Sequence, residues 1–376
     1  MDYTKLALQK HKKLKGKISI ALKDSLDSKE KLSIHYTPGV GAVSSYIAEH
    51  PGEARDYTWL NNAVAVVSDG SAVLGLGNIG PYGALPVMEG KCMLFKHFGG
   101  LDAVPIVLDV HTADEIVAAV KAIAPSFGGI NLEDIAAPIC FEVEKRLKAE
   151  LHVPVMHDDQ HGTAVVTLAG LINAAKVTGK TLQDSRTVLV GSGAAGVAIA
   201  RLLHLYGVAT IIAVDSKGII SQDRTNLTVE KKELLEFGDK QATGTLADAV
   251  RGADIFIGVS KPGLLTASMV KSMAASPIIF AMANPIPEIM PDEAKKAGAA
   301  VVATGRSDLP NQVNNALAFP GIFRGALDNR VSEITDQHKI AAAEAIANLI
   351  KTPTMDNIIP SVLDDRLVPA IAGLIR

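Results

Sequence analysis

The period of apolar and polar positions changes several times along this 376-residue chain, and the changes outline its elements. Residues 61–75 (NNAVAVVSDGSAVLG) read as two short β runs hinged at Asp69-Gly70, a hairpin signal. A β/α rhythm follows. Residues 103–109 (AVPIVLD) have strand length and composition, and Thr112 with Glu115 makes a capping box for a helix ending near Phe127. A strand over 128–134, a helix over 140–151 and a strand over 153–159 come next. A long helix over 162–179 is then closed by Gly179.

From Arg186 the rhythm becomes regular. RTVLVG (186–191) predicts a strand and 194–206 a helix, with Gly207 just past its end. ATIIAVD, DIFIGVS, PIIFAMA and AAVVATG are further apolar runs of strand length, separated by helical or loop segments. Val/Ile-rich runs alternating with helices indicate parallel sheets buried on both faces. The tail turns helical over 331–349 and again near Leu367. The expected class is α/β with two domains. Residues 1–159 form the first, and 160–376 a Rossmann-type parallel-sheet domain with C-terminal helices.

Composition narrows the function classes. With 37 Lys+Arg against 40 Asp+Glu and a net charge of −3, a dedicated nucleic-acid binder is not expected. The basic opening (Lys10, Lys12, Lys13, Lys15, Lys17) reads as a solvated helix face. Although 48% of residues are hydrophobic, no uncharged apolar stretch approaches the roughly 18 residues of a membrane span. No apolar region follows the basic N-terminal segment, so no signal peptide is expected. Cys92 and Cys140 read as buried thiols and fit a reducing, cytoplasmic setting.

Two Gly-x-Gly-x-x-Gly matches differ in context. In Gly191-Ser192-Gly193-Ala194-Ala195-Gly196 the motif follows a β run and opens a helix, so a pyrophosphate can approach its backbone and meet the helix N-terminus. Asp215 ends the next strand about 20 residues on, where a carboxylate can hold a ribose 2′-OH. Gly75-Leu76-Gly77-Asn78-Ile79-Gly80 precedes Pro81 and a Gly/Pro-broken stretch with no helix expected, and reads as a tight-packing loop.

The acids form a second constellation. Asp109, Glu133-Asp134 and Asp158-Asp159 each end an expected strand. On parallel neighbours they would gather at one sheet edge, where a cation would relieve their repulsion and an all-oxygen set suits Mg²⁺ or Mn²⁺. The competing reading is ordinary N-caps and loop acids. His157-Asp158-Asp159-Gln160-His161 mimics the zinc-protease spacing, but it falls on a strand end and places Asp where Glu would be the base. Lys91 lies in an otherwise apolar segment, which would lower its pKa toward that of a general base; a snorkelling surface Lys is the alternative. Tyr36 precedes a Pro-Gly turn, and Asn284 ends a strand facing the nicotinamide crevice.

Taken together, YTPGV (36–40), GLGNIG (75–80), EGKCMLFK (89–96), NLED (131–134), HDDQHGTA (157–164), GSGAAG (191–196), ANPIPE (283–288) and ATGRSDLPNQVNN (303–315) resemble malic enzymes, in order over most of the chain. The likeness is to the short bacterial type without a C-terminal acyltransferase domain. It implies divalent-metal-dependent oxidative decarboxylation of L-malate to pyruvate and CO₂, with reduction of NAD or NADP. It further implies Glu133, Asp134 and Asp159 as ligands of Mn²⁺ or Mg²⁺, Lys91 as base, Tyr36 as the acid protonating C3, and Asp158 assisting them. Asn284 and Asn315 would hold malate, Gly191, Gly193, Ala194, Ala195, Gly196, Asp215 and Asn284 would hold the dinucleotide, and the chain would be a homodimer.

The resemblance has one departure. Longer members place an Arg before GLG to clamp a malate carboxylate, and here the stretch reads Ser71-Ala72-Val73-Leu74. Asp215 favours NAD, while nearby Lys217 and Arg224 leave NADP open. The alternatives are a metal-free NAD-dependent hydroxy- or amino-acid dehydrogenase and a dinucleotide-sensing regulator. The malic enzyme reading places the site in a cleft between the domains.

Overall fold

The structure is a computed structural model, and it describes residues 3–73, 75–225, 227–238 and 240–376. An N-terminal helical layer comprises α1 (Tyr3–Leu14), α2 (Lys29–His35), α3 (Gly39–Glu49) and α4 (Ala54–Tyr57), none of which buries a residue completely.

Strand β1 (Ala63–Ser68) then enters the core. It is followed by α5 (Gly80–Gly99), β2 (Asp102–Val107), α6 (Ala113–Ile123), β3 (Gly129–Leu132), α7 (Ile139–Glu150) and β4 (Val155–His157). These strands form a parallel sheet ordered β2-β1-β3-β4. Every residue of β1 is buried because helices cover both faces, whereas the edge strand β2 is only partly buried. The Thr112–Glu115 capping box opens α6 as its sequence predicts.

The expected hairpin over 61–75 does not form. Its first half is β1, whose two sides are taken by β2 and β3, so no edge remains for a returning strand. The second half is a loop around Gly70, joined by an isolated Val73–Gly77 bridge; Leu74 lies outside the described residues. A second difference concerns residues 80–99, which form one helix despite Pro81, Gly83 and Pro86. Pro81 occupies the first turn, where no N–H is needed. Burial of Ala84, Met88, Cys92 and Phe95 offsets the interior Pro86.

Helix α8 (Asp158–Thr178) starts four residues before the expected 162, so Asp158 and Asp159 lie on its first turn. It is buried on nearly all sides and has Gly179 in the left-handed region at its end. After it come β5 (Arg186–Val190), α9 (Ala194–Leu205), β6 (Thr210–Asp215), β7 (Gly218–Ile219), α10 (Val229–Leu234), α11 (Leu246–Val250) and β8 (Ile255–Gly258). The order continues with α12 (Ala267–Ser272), β9 (Ile278–Ala281), α13 (Pro291–Lys296), β10 (Val301–Thr304), α14 (Phe319–Asp328), α15 (Asp336–Asn348) and α16 (Leu367–Ala372).

The second sheet runs β10-β9-β8-β5-β6-β7, parallel except for the short β7. Strand order reverses at β5, which opens a ligand crevice at the carboxyl ends of β5 and β8. One hydrophobic core runs from Val64 and Val66 through Val165, Leu168 and Leu171 of α8 to Leu189, Ile257 and Phe280. Helix α8 thus joins the two sheets and points its N-terminus into the space between them.

Candidate active site

The register Leu132↔His157 brings the ends of β3 and β4 side by side, so Glu133-Asp134 and Asp158-Asp159 emerge at one edge. One carboxylate oxygen from each of Glu133, Asp134 and Asp159 lies within 4.8 Å of the others. Asp159 Oδ2 also accepts the Asp134 N–H at 2.7 Å, and Asn131 Nδ2 donates to Glu133 Oε2 at 2.9 Å. Burial, together with the Asp159, Asp158 and Asp134 charges, pushes Glu133 well above the usual carboxylate range, with Lys91 working the other way. Three hard oxygen donors that repel one another in a buried pocket fit a divalent cation such as Mg²⁺ or Mn²⁺.

Asp109 stays outside this group. It is exposed and follows the edge strand β2, two strands from β3, or on the order of 10 Å at the usual strand spacing. Of the histidines, buried His161 stands apart, donating to Glu144 at 2.8 Å, whereas His157 borders the acids: its Nδ1 accepts from Gln160 at 3.0 Å and its Nε2 lies 3.4 Å from Asp159 Oδ2.

Glu144 on α7 organises this turn. It accepts from the His157 N–H at 3.1 Å and from Gln160 Nε2 at 3.2 Å, and pairs with Lys148 at 2.8 Å. Burial opposes its charge, but His161 and Lys148 outweigh it and hold the carboxyl well below its ordinary range. Burial pushes His161 down to about 3, with Glu144 working the other way.

Lys91 differs from expectation. Its Nζ is buried, but between carboxylates: Asp158 Oδ2 at 2.6 Å and Glu133 Oε1 at 2.8 Å, with the Phe319 ring at 4.2 Å. Burial works against the ammonium, yet the two carboxylates outweigh it and raise the pKa instead of lowering it. The sequence suggested the reverse because both acids are distant in the chain. Burial in turn raises Asp158, whose Oδ1 makes no hydrogen bond. Gly162 leaves room for that carboxylate: a Cβ there would lie 1.9 Å from Asp158 Oδ1.

Lys91 and the three acids line a cleft of about 920 Å³, with Asp158 buried behind Lys91. Lys91, Glu133, Asp134 and Asp159 come from the first sheet's side; Gly193, Ala194, Ala195, Met282, Asn284 and Asn315 come from the second. The glycines fit a dinucleotide. A Cβ on Gly196 would lie 1.8 Å from Gly191 O, which locks the turn, while Gly193 faces open space in the cleft. The loop over 75–80 packs instead of cradling, since a Cβ on Gly75 would meet Asn284 O at 2.6 Å. Buried Glu288 accepts from Ser260 N at 3.0 Å and Ala283 N at 3.1 Å, bracing the two loops beside Asn284.

Tyr36 is not brought to the cleft; it is 66% exposed in the N-terminal layer. Lys17, expected on a solvated helix, lies beyond α1 and lines the cleft together with His11. Its Nζ donates to Pro86 O at 2.5 Å. No local signal separated Lys17 from the lysines before it, whereas Asn131 lay within the NLED run.

Residues 15–148 match the malic enzyme N-terminal domain family, and residues 160–370 the malic enzyme NAD binding domain family. The chain belongs to the malic enzyme family. It is similar to the bifunctional malic/malolactic enzyme of Bacillus subtilis, 54% identical over 99% of this chain and 92% of that protein. Similarity extends to the NAD-dependent malic enzyme of Geobacillus stearothermophilus, 55% identical over 95% of this chain and 75% of that protein. Among solved structures, the NAD-dependent malic enzyme of Thermotoga maritima superposes with a TM-score of 0.95 at 49% identity, covering 98% of both chains. Membership in the malic enzyme family agrees with a cluster of acids and a glycine-rich turn facing one cleft. A metal-free dehydrogenase or a sensing regulator leaves the acids without a role.

Proposed function

We propose that this cleft performs the oxidative decarboxylation of L-malate to pyruvate and CO₂ with reduction of NAD(P), and that the residues divide the work as follows. The observation that carries the reading is the juxtaposition, across one cleft, of the Glu133–Asp134–Asp159 oxygens with the Gly191–Gly196 turn. NAD(P) supplies the hydride acceptor, and a divalent cation held by the three acids supplies Lewis-acid polarisation at the malate C2 oxygen and offsets the Glu133 charge beside Lys91.

Lys91 Nζ takes the C2 hydroxyl proton once its own proton has passed to Asp158 Oδ2, 2.6 Å away. The raised pKa of Asp158 suits it to hold that proton. Asn284 and Asn315 orient malate from the opposite wall. Lys17, with Lys91 the only lysines lining the cleft among the described residues, faces a malate carboxylate and takes the place of the missing Arg.

Tyr36 protonates C3 after CO₂ leaves, and it is delivered by a second copy of the chain. Two facts support this: Tyr36 is exposed and away from its own cleft, and Ile34, Val40 and Val43 around it are exposed apolar side chains that a partner would cover. The working unit is therefore a homodimer with domains 1–159 and 160–376, in the cytoplasm. Among the described residues no helix is long and apolar enough to cross a membrane.

The test is NAD(P)H formation from L-malate and Mn²⁺ with and without EDTA. Malate-dependent, EDTA-sensitive reduction supports the reading; a folded, dinucleotide-binding protein that reduces neither cofactor overturns it. Lactate among the products would extend the reading to the malolactic conversion named for the Bacillus subtilis relative. Mixing inactive K91A and Y36F proteins restores up to about a quarter of wild-type activity if Tyr36 acts across a two-fold, and none if it acts within its own chain.

A further inference from the structure

His157 ends β4 and is fully buried, yet its Nε2 makes no hydrogen bond. A buried polar nitrogen without a partner is uncommon because it is costly, and in a native structure it usually has a role. This one faces the acids. Asp159 Oδ2 lies 3.4 Å away, in contact but beyond the length of a fully formed hydrogen bond.

Which ring nitrogen carries the hydrogen follows from a chain of contacts that starts on α7. Glu144 Oε1 takes the His157 backbone N–H at 3.1 Å and Lys148 Nζ at 2.8 Å. Its Oε2 takes Gln160 Nε2 at 3.2 Å and His161 Nε2 at 2.8 Å. These four donors fill the acceptor positions of an ionised carboxylate, which has no hydrogen to give, so the Gln160 amide turns its nitrogen toward Glu144. The second hydrogen of that nitrogen goes to His157 Nδ1, 3.0 Å away. With Nδ1 as acceptor, the ring hydrogen sits on Nε2, on the side of Asp159.

Asp159 is the acid that most needs holding. Of the three it alone is not buried, with its side chain 32% exposed, and so has the most freedom to turn. Its Oδ2 accepts the Asp134 N–H at 2.7 Å from one side, and His157 Nε2 approaches the same oxygen.

We propose that His157 is a positioning residue for the cation: its Nε2–H, oriented through Glu144 and Gln160, restrains the Asp159 carboxylate in the orientation in which it meets a divalent ion. The inference rests on the reading that Glu133, Asp134 and Asp159 hold that ion. It divides the run from His157 to Gln160 by task. Asp158 serves Lys91, Asp159 the cation, and His157 with Gln160 the aim of Asp159. Hydrogen bonds behind a ligating carboxylate lower its freedom to turn and so raise metal affinity.

Mn²⁺ titration of the whole chain by electron paramagnetic resonance, without substrate, tests this, with calorimetric NAD⁺ binding as a control on the rest of the cleft. H157N removes the donor at Nε2; it should weaken Mn²⁺ by about tenfold and leave NAD⁺ within about twofold. H157Q, long enough to return an N–H to the Nε2 position, should recover most of the loss. Q160M keeps the volume of Gln160 without its amide and should weaken Mn²⁺ by about threefold. The H157N/Q160M double variant should bind no more weakly than H157N, because both changes break one chain of contacts. Wild-type Mn²⁺ affinity in H157N, equal losses in H157N and H157Q, a parallel loss of NAD⁺, or additive losses in the double variant would each overturn the role of His157 and leave the acids as ligands. Should H157N not fold, Q160M decides, and an unchanged Mn²⁺ affinity there overturns the proposal. Wild-type affinity in D159N would overturn the assignment of the acids, and the role of His157 with it.

Discussion

Lys91 Nζ lies 2.6 Å from Asp158 Oδ2, a contact between residues 67 apart that joins helix α5 to the first turn of α8. It makes Lys91 an ammonium at rest and gives it a buried carboxylate with which to exchange its proton. Replacing Lys91 with Ala should lower kcat by about 10²–10⁴-fold with a much smaller change in malate KM. K91R keeps the charge between Glu133 and Asp158 and should be comparably inactive with a Tm close to wild type. Steady-state kinetics with a parallel melting curve separate these effects. A fall in affinity with turnover preserved would remove Lys91 from the role of base.

Metal removal should act on binding and rate together. Chelated protein is expected to lose turnover and to regain it with Mn²⁺. Direct Mn²⁺ titration by electron paramagnetic resonance should find about one site, weakened by about tenfold or more in E133Q, D134N or D159N. E144Q, which disturbs the turn carrying Asp159 without touching the three acids, should weaken it less. Unchanged Mn²⁺ affinity in D159N would show that the acids hold no cation.

Gly162→Ala reverses a usual expectation. Inside a helix the change ordinarily stabilises by about 1 kcal/mol. Here the new methyl would fall on Asp158 Oδ1 and push the carboxylate away from Lys91. Turnover should drop by about tenfold or more and the Tm should not rise. A more stable, fully active variant would mean that Asp158 has room to move and that its position is immaterial.

Lys17→Ala should raise malate KM by about tenfold while leaving kcat near wild type, as expected for loss of one charge-assisted contact to substrate. Burial already lowers the Lys17 pKa, so K17Q also tests whether charge or size matters. Kinetics at fixed cofactor decide it. An unchanged KM would mean that Lys17 serves only its contact with Pro86.

Asp215 has a pH signature of its own. Burial works against its charge, but Arg224 at 2.8 Å and Lys231 at 2.7 Å outweigh it and hold the folded-state pKa well below the ordinary value. An acid with a depressed pKa contributes stability above its unfolded value, near 3.9, and loses it as pH falls through the folded value. The unfolding free-energy difference between wild type and D215N should therefore be constant from neutral pH down to about 5 and shrink below about 4. Urea titrations across that range measure it. A gap that widens on acidification would contradict the ion-pair account.

Local chemistry made much of this protein legible in its sequence. The β/α rhythm from 103 onward, the Thr112–Glu115 capping box, Gly179 at the end of α8 and the strand–turn–helix at Gly191 depend on residues within a few positions of one another. The acids at the ends of β3 and β4 could be read as a group because parallel strands deliver their carboxyl ends to one edge. What misled was each feature settled by neighbours distant in the chain. Flanking strands denied 61–75 its hairpin, and packing along one face carried α5 through Pro86.

From residue order alone follow the two α/β layers and the strand–turn–helix at Gly191, since periodicity, caps and motif spacing are short-range properties; the family was legible through the resemblance of its motifs. Only the fold decided that Lys91 is charged, that Asp109 and Tyr36 stand apart from the acids, that Lys17 reaches the cleft and that Asp215 is already taken. Each of these depends on an electrostatic partner, or the lack of one, across tens of residues. A side chain's charge state and lone-pair occupancy come from what is near it in space, and sequence distance does not record that.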